Sequence, residues 1–122
     1  MTEQQIKSIL QQVKHIALVG ASDKPHRASY EVMAYLLEQG YQVTPVSPKL
    51  AGQNLLGQKV YATLAEIPHP IDMVDVFRNS DAAYGVAEEA IAINAKVLWL
   101  QLGVINEQAE QLATEAGLQV VM

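Results

Sequence analysis

Short apolar runs alternate along the chain with stretches whose apolar positions repeat every three or four residues. Runs of the first kind are typical of parallel strands covered on both faces, and stretches of the second kind are typical of amphipathic helices. The pattern predicts strands at 16–21, 41–46, 72–77, 96–102 and 118–122, with a short strand through Val60 and Tyr61. It predicts helices ending near Lys14 and over 29–40, 80–93 and 106–117.

Polar residues mark where most of these helices should begin. Thr2 and Gln5 have the spacing of a capping box, and Thr63 and Glu66 repeat that spacing before one brief helical turn. Single capping residues are predicted for the three later helices: Ser29, Ser80 and Asn106.

Strands and helices alternate throughout, which predicts an α/β fold: a Rossmann-like, doubly wound, mostly parallel sheet with helices on both faces. No repeat, linker or low-complexity segment interrupts the 122 residues. We therefore expect residues 1–122 to form a single domain.

Composition narrows the class of protein. Half of the residues are hydrophobic and 17% are charged, as in a compact globular chain. The formal net charge of −5 argues against nucleic-acid binding, and the absence of cysteine excludes disulfides and thiolate chemistry. The N-terminus has no signal-peptide pattern, and no apolar run is long enough to span a membrane. A soluble cytoplasmic protein is expected.

The cations are unevenly placed. Four of the eight Lys and Arg residues lie in loops that leave the carboxyl ends of predicted strands: Lys24, Arg27, Lys49 and Arg78. Ligands of doubly wound sheets bind at this edge, so the clustering favours an anionic ligand. The alternative is that loops simply carry charged residues.

A tight turn follows the first strand. Gly20, Ala21 and Ser22 have small side chains where a phosphate would approach backbone N–H groups, and the helix start at Ser29 would add its dipole. The match to G-x-G-x-x-G is poor because only Gly20 is a glycine. A strand–helix turn without a ligand remains an alternative.

The end of the second strand bears on the type of nucleotide. NAD-binding domains carry an acidic residue there for the ribose hydroxyls, whereas this chain has Val46, Ser47, Pro48 and Lys49. A cation in place of a carboxylate favours a ribose with an extra phosphate. Coenzyme A and NADP both satisfy this condition, and NAD does not fit well.

Several segments together resemble the CoA-binding domain family, which is similar to the N-terminal domain of the succinyl-CoA synthetase α subunit. They are the stretches 16–25, 40–49, 56–68 and 72–78, and within the family the chain looks like the small stand-alone bacterial members. The resemblance implies that Gly20–Ser22, Lys24 and Arg27 line the pyrophosphate of CoA and that Val46–Lys49 hold the adenosine end. It also implies that Phe77 and Arg78 border the adenine or the pantetheine arm, and that Gln101, Leu102, Gly103 and Val104 form the next wall.

No catalytic group stands out. His15 and His69 are interpreted as surface or capping residues, and His26, although in the ligand loop, as a solvated one. Asp75 lies inside an apolar strand and would need partners, so we interpret it as a structural hydrogen-bonding residue. Two aromatic residues are interpreted as packing residues: Tyr84 and Trp99.

The leading hypothesis is therefore a module that binds CoA or an acyl-CoA without catalytic machinery of its own and without a metal, with a protein partner possible. A small NADP-dependent oxidoreductase and an interaction subunit with a vestigial pocket are the alternatives.

Overall fold

Seven strands and four helices make up the computed structural model, which describes residues 2–101 and 103–122. The strands are β1 (His15–Val19), β2 (Gln42–Val46), β3 (Asn54–Leu55), β4 (Gln58–Lys59), β5 (Met73–Val76), β6 (Val97–Leu100) and β7 (Gln119–Val121). The helices are α1 (Glu3–Gln12), α2 (Ala28–Glu38), α3 (Ala83–Ala92) and α4 (Glu107–Glu115), with 3₁₀ turns at Leu64–Glu66 and Ser80–Ala82. Five strands form a parallel sheet in the order β2-β1-β5-β6-β7, and β3 pairs with β4 in an antiparallel hairpin.

Both faces of the sheet are covered, which explains the unbroken apolar runs of its strands. Successive residues of a strand point to opposite faces. In β1, Ala17 and Val19 belong to the apolar cluster that includes α3 and α4, whereas Ile16 and Leu18 belong to the cluster that includes α1 and α2. The predicted Rossmann-like, doubly wound α/β fold is therefore confirmed.

Two of the predicted helix caps are present. The Thr2 amide donates to Gln5 Oε1 at 2.8 Å while the Gln5 amide donates to Thr2 Oγ1 at 3.2 Å, which completes a capping box. At α4 the Ala109 amide donates to Asn106 Oδ1 at 2.9 Å. Each cap satisfies an amide that the first helical turn leaves without a partner.

The predicted cap at Ser29 is wrong. The cap position lies two residues earlier, at Arg27, whose side chain makes no capping hydrogen bond, and Ser29 is buried in the first turn. The Arg27 amide donates to the Lys24 carbonyl at 3.0 Å, so the turn before the helix closes at residue 27 and leaves Ser29 already helical.

The predicted cap at Ser80 is also wrong. Asn79 caps the turn at Ser80–Ala82 instead, since the Ala82 amide donates to Asn79 Oδ1 at 2.9 Å. The Ser80 hydroxyl accepts from the Ile105 amide at 3.0 Å, which ties this turn to the loop before α4. Thr63 stands at the predicted cap position before the turn at Leu64–Glu66, but its side chain makes no capping hydrogen bond.

The predicted short strand through Val60 and Tyr61 is replaced by the β3–β4 hairpin, which ends just before it. Tyr61 makes only an isolated parallel bridge to Val46. Every strand of the large sheet is also shorter than predicted, because the apolar runs continue into residues that have already left the ladder.

The hairpin turn carries a leucine in an unfavourable conformation. Leu56 and Gly57, the two residues between β3 and β4, have φ values of +51° and +81°. Positive φ at both positions is what a type I′ turn requires, and asparagine is favoured at the first of them. Leu56 is also partly exposed, so its side chain gains little in return.

We therefore expect Leu56→Asn to raise the free energy of unfolding by about 1 kcal/mol, as measured by urea denaturation. Leu56→Ala is the matched control, because it removes the exposed side chain but keeps a residue that disfavours positive φ. Equal stabilisation by both variants would show that the backbone conformation is not the cause.

The amino edge of the sheet is held by one carboxylate. Asp72 accepts hydrogen bonds from the Lys14 and His15 amides at 2.9 and 3.0 Å, which links the start of β1 to the start of β5. Nearby, the rings of His15 and His69 lie 5.3 Å apart. Both histidines lie outside the cavities described below. His69 is exposed, as predicted, whereas His15 is half-buried and its Nδ1 atom is buried without a hydrogen-bond partner.

None of the helices in the described part of the chain combines the length and the apolar character needed to cross a membrane.

Candidate nucleotide-binding site

The order of the strands reverses at β1, because the chain moves from β1 to β2 on one side and then to β5 on the other. Ligands of such sheets bind beyond the carboxyl ends of the strands at this point. Gly20, Ser47 and Phe77 directly follow β1, β2 and β5, and all three line both of the cavities found there. A cleft therefore lies at the predicted location of the site.

The first cavity, of about 400 Å³, is enclosed by the turn at 20–24, the first residues of α2 and the loop after β2. The first amides of a helix have no intrahelical acceptor, and the Arg27 side chain does not cap them. Lys24, Arg27 and Lys49 also line this cavity, against a single carboxylate from Asp23. Free helix donors and a net positive charge both favour an anion.

The second cavity, of about 690 Å³, is more apolar. Val19, Val46, Leu64 and Val86 contribute to its lining, and six residues line both cavities, so the two form one continuous cleft. Each of the two volumes falls within the range of pockets that bind small molecules and cofactors.

Two amides of the turn after β1 are already occupied. The Gly20 and Ala21 amides both donate to the Val46 carbonyl, at 3.0 and 3.2 Å. The sequence predicts that these amides face a phosphate, but in the structure they join the ends of β1 and β2. Further donors for an anion lie at the start of α2.

Position 20 requires a glycine, both because of its backbone conformation and because of the atoms around it. Its φ is +93°, and a Cβ atom at this position would lie 2.6 Å from the carbonyl oxygen of Phe77. The Phe77 amide in turn donates to Val19 at 2.8 Å, so the two segments cannot easily move apart. The close approach of the two loops sets the floor of the cleft.

The structure brings most of the predicted site residues together. Those lining the first cavity are Gly20, Ala21, Ser22, Lys24, Arg27, Ser47, Lys49 and Phe77, and the second cavity adds Val46, Pro48 and Arg78. Gln101 and Gly103 line neither cavity, and Leu102 lies outside the described residues.

Sequence reasoning missed one wall of the second cavity. Thr63 and Leu64 come from the 3₁₀ turn after the hairpin, and Val86 and Glu89 come from α3. The apolar residues among them follow ordinary core periodicity, and Glu89 has no motif around it, so no sequence signal separated them from packing or surface residues.

Asp75 is the one carboxyl buried within the described sheet, with 2% of its surface exposed. The Gln101 side-chain amide donates a hydrogen bond to it, which supports the predicted structural role of Asp75 and gives Gln101 a role outside the cleft. Burial raises the pKa of Asp75 to about 7, although the Gln101 hydrogen bond works in the opposite direction.

The remaining candidates are peripheral. His26 is exposed and lines neither cavity. Trp99 packs against the apolar cluster of α1 and α2, as predicted. Tyr84 does not fit its prediction as a packing residue, because 38% of it is exposed beside a groove between α3 and α4. No group of three or more His, Cys, Asp or Glu side chains within 2–101 and 103–122 is placed to hold a metal ion.

A parallel sheet with a cleft at its reversal point defines a Rossmann-like α/β domain. The family model described as a CoA binding domain matches residues 14–122, and the chain belongs to this family. The family resemblance seen in the sequence is thereby confirmed.

Three relatives show how widely this domain is used. The uncharacterised protein YneT of Bacillus subtilis is 45% identical over 118 residues, which cover 97% of this chain and 86% of YneT. A hypothetical protein from Pyrococcus horikoshii is similar in structure, with a TM-score of 0.95 and 45% identity, over 99% of this chain and 84% of the other. The α subunit of the ADP-forming acetate–CoA ligase I of Pyrococcus furiosus is 31% identical over 114 residues, which cover 85% of this chain but only 25% of that subunit.

Proposed function

We propose that the protein binds coenzyme A, free or acylated, in the cleft at the carboxyl edge of β1, β2 and β5. The observation that carries the proposal is the loop after β2, where Ser47 and Lys49 line the cleft in place of the acidic residue of NAD-binding domains. Membership of the CoA binding domain family supports the same ligand.

The two cavities match the two chemically different parts of CoA. The diphosphate would lie at the start of α2, where helix donors meet Lys24 and Arg27. The 3′-phosphate of the adenosine would lie beside Lys49. The adenine of the adenosine end, whose ring faces are uncharged, would lie in the more apolar second cavity, which Val46 and Leu64 line.

We further propose that binding, and not a reaction of its own, is the activity of this domain in the cytoplasm. The described residues that line the cleft include no histidine, and their two carboxylates, Asp23 and Glu89, lie in different cavities. A general acid or base works within hydrogen-bond reach of the proton that it transfers, and two carboxylates in different cavities do not flank one reacting bond. A reaction on the bound thioester would need groups from a protein partner.

Replacing Lys49 tests the placement of the 3′-phosphate. Lys49→Gln is expected to weaken binding of CoA about fivefold or more in isothermal titration, because a charge-assisted contact to the phosphate is lost. Binding of dephospho-CoA, which lacks that phosphate, should change little. Lys7→Gln is the matched control, since Lys7 is exposed on α1 and away from the cleft.

Equal losses for CoA and dephospho-CoA would show that Lys49 does not contact the 3′-phosphate. Titration with NADP⁺ covers the alternative cofactor, whose extra phosphate lies on the 2′ position. Binding of NADP⁺ without binding of CoA would overturn the proposed function, and so would the absence of binding by either.

A further inference from the structure

We propose that Asp75 makes ligand binding in the cleft proton-linked, so that the protein binds its phosphorylated ligand more tightly when this carboxyl is protonated and takes up a proton on binding. The inference rests on the proposed function, because it concerns how an anion in the same cleft is held.

The position of Asp75 supports this link. It is the third residue of β5, and its neighbours Val74 and Val76 belong to the cluster on the α3 and α4 face. Asp75 therefore points to the other face, on the same side as Phe77 two residues later. At 3.3 Å per residue the two Cα atoms lie about 7 Å apart along the strand. Phe77 lines both cavities, so Asp75 lies two residues before the cleft along the same strand.

The surroundings of Asp75 offer its charge little compensation. Its register partners are Leu18 on β1 and Trp99 on β6. On this face α1 and α2 contribute apolar residues, and the titratable groups in the same cluster are the phenols of Tyr30 and Tyr41. The Gln101 amide is the hydrogen-bond partner of the carboxylate, and no charged group contributes to its raised pKa.

Because burial brings the pKa of Asp75 to about 7, both protonation states are populated at neutral pH. A bound diphosphate would add negative charge beyond the floor of the cleft, through protein of low dielectric constant that screens poorly. Repulsion would then raise the pKa of Asp75 further. By linkage, the same interaction weakens binding when the carboxyl is ionised.

Dephospho-CoA is the ligand for the test. The phosphate monoester of CoA itself titrates near pH 6 and would obscure the effect, whereas the diphosphate of dephospho-CoA stays ionised across the range. Titrations from pH 6 to 8 are made in His26→Gln protein, because the imidazole in the ligand loop is a second titratable group. Each titration is repeated calorimetrically in two buffers of different ionisation enthalpy. The difference between the two binding enthalpies gives the number of protons taken up.

The affinity is expected to fall about three- to tenfold between pH 6 and pH 8, with a fraction of a proton taken up near pH 7.5. Adding Asp75→Asn should abolish both the pH dependence and the uptake. Binding without pH dependence in the His26→Gln protein, or a pH dependence that survives Asp75→Asn, would overturn the inference while leaving the proposed function intact. No binding at any pH would instead contradict the proposed function.

A second measurement needs no substitution at Asp75. The side-chain carbonyl signal of Asp75 in ¹³C NMR spectra should titrate with a higher midpoint in the presence of saturating dephospho-CoA than in its absence. An unchanged midpoint would also overturn the inference.

Discussion

Gly20→Ala is expected to lower the free energy of unfolding by about 3 kcal/mol and to abolish CoA binding. The new Cβ would meet the Phe77 carbonyl oxygen at 2.6 Å, a contact with backbone that no rotamer change can relieve. The φ of +93° adds a conformational cost of about 1–2 kcal/mol for any residue other than glycine. The ends of β1 and β5 must separate to make room for the new methyl group. This separation disrupts the floor of the cleft, so the variant loses CoA binding as well as stability.

Gly40→Ala separates the two causes. Gly40 has nearly the same φ, +95°, but a Cβ there would meet nothing within 4 Å. We expect Gly40→Ala to cost about 1 kcal/mol in urea denaturation and to leave CoA binding unchanged in isothermal titration. Similar losses of stability and of binding in the two variants would contradict the close approach of Gly20 to Phe77.

The architecture was predictable because its signals are local and repeated. Each strand of the large sheet is covered on both faces, so each appears in the sequence as an apolar run, and the helices between them show a different period. The carboxyl ends of parallel strands meet at one edge, which is why the loops after the first three predicted long strands could be placed together. The cluster of Lys24, Arg27 and Lys49 follows from that topology.

The parts that were missed depend on exact backbone geometry. The cap of α2 was misplaced because the loop closes at Arg27, which leaves the better capping residue, Ser29, inside the helix. The hairpin was missed because its turn is Leu-Gly and not Asn-Gly, so the usual sequence signal is weak. The Gly20 and Ala21 amides donate to the Val46 carbonyl because of the way in which β1 and β2 end. No pattern of residues in the sequence specifies this geometry.

Asp75 shows how a sequence can identify a residue without specifying its chemistry. A carboxyl inside an apolar run was expected to be buried and hydrogen-bonded, and both expectations hold. Its partner Gln101 was predicted to form a wall of the site, but its amide group points to Asp75. That pairing depends on the register of β5 and β6, and it determines the electrostatic environment of the carboxyl.

Asp75→Asn is expected to make the protein more stable than the wild type at pH 8, by up to about 4 kcal/mol. A carboxyl pKa raised from 3.8 to about 7 means that the folded protein binds a proton that the unfolded chain releases. The wild type therefore loses stability as the pH rises from about 4 to about 7, at up to about 1.4 kcal/mol for each pH unit. Asparagine keeps the shape of the protonated carboxyl and cannot ionise, so the variant escapes this loss.

Urea denaturation at pH 5 and pH 8 measures the effect, and Asp72→Asn is the control of opposite sign. Burial alone would raise the pKa of Asp72, but the His15 and Lys14 amides and the charge of Lys96 outweigh it and lower the pKa. Asp72 therefore stabilises the folded protein above about pH 4, and this stabilisation is lost as the pH falls further. Asp72→Asn should destabilise the protein at both pH 5 and pH 8. If Asp75→Asn is no more stable than the wild type at pH 8, the prediction is contradicted. Such a result would show that interactions other than the Gln101 hydrogen bond stabilise the buried carboxylate.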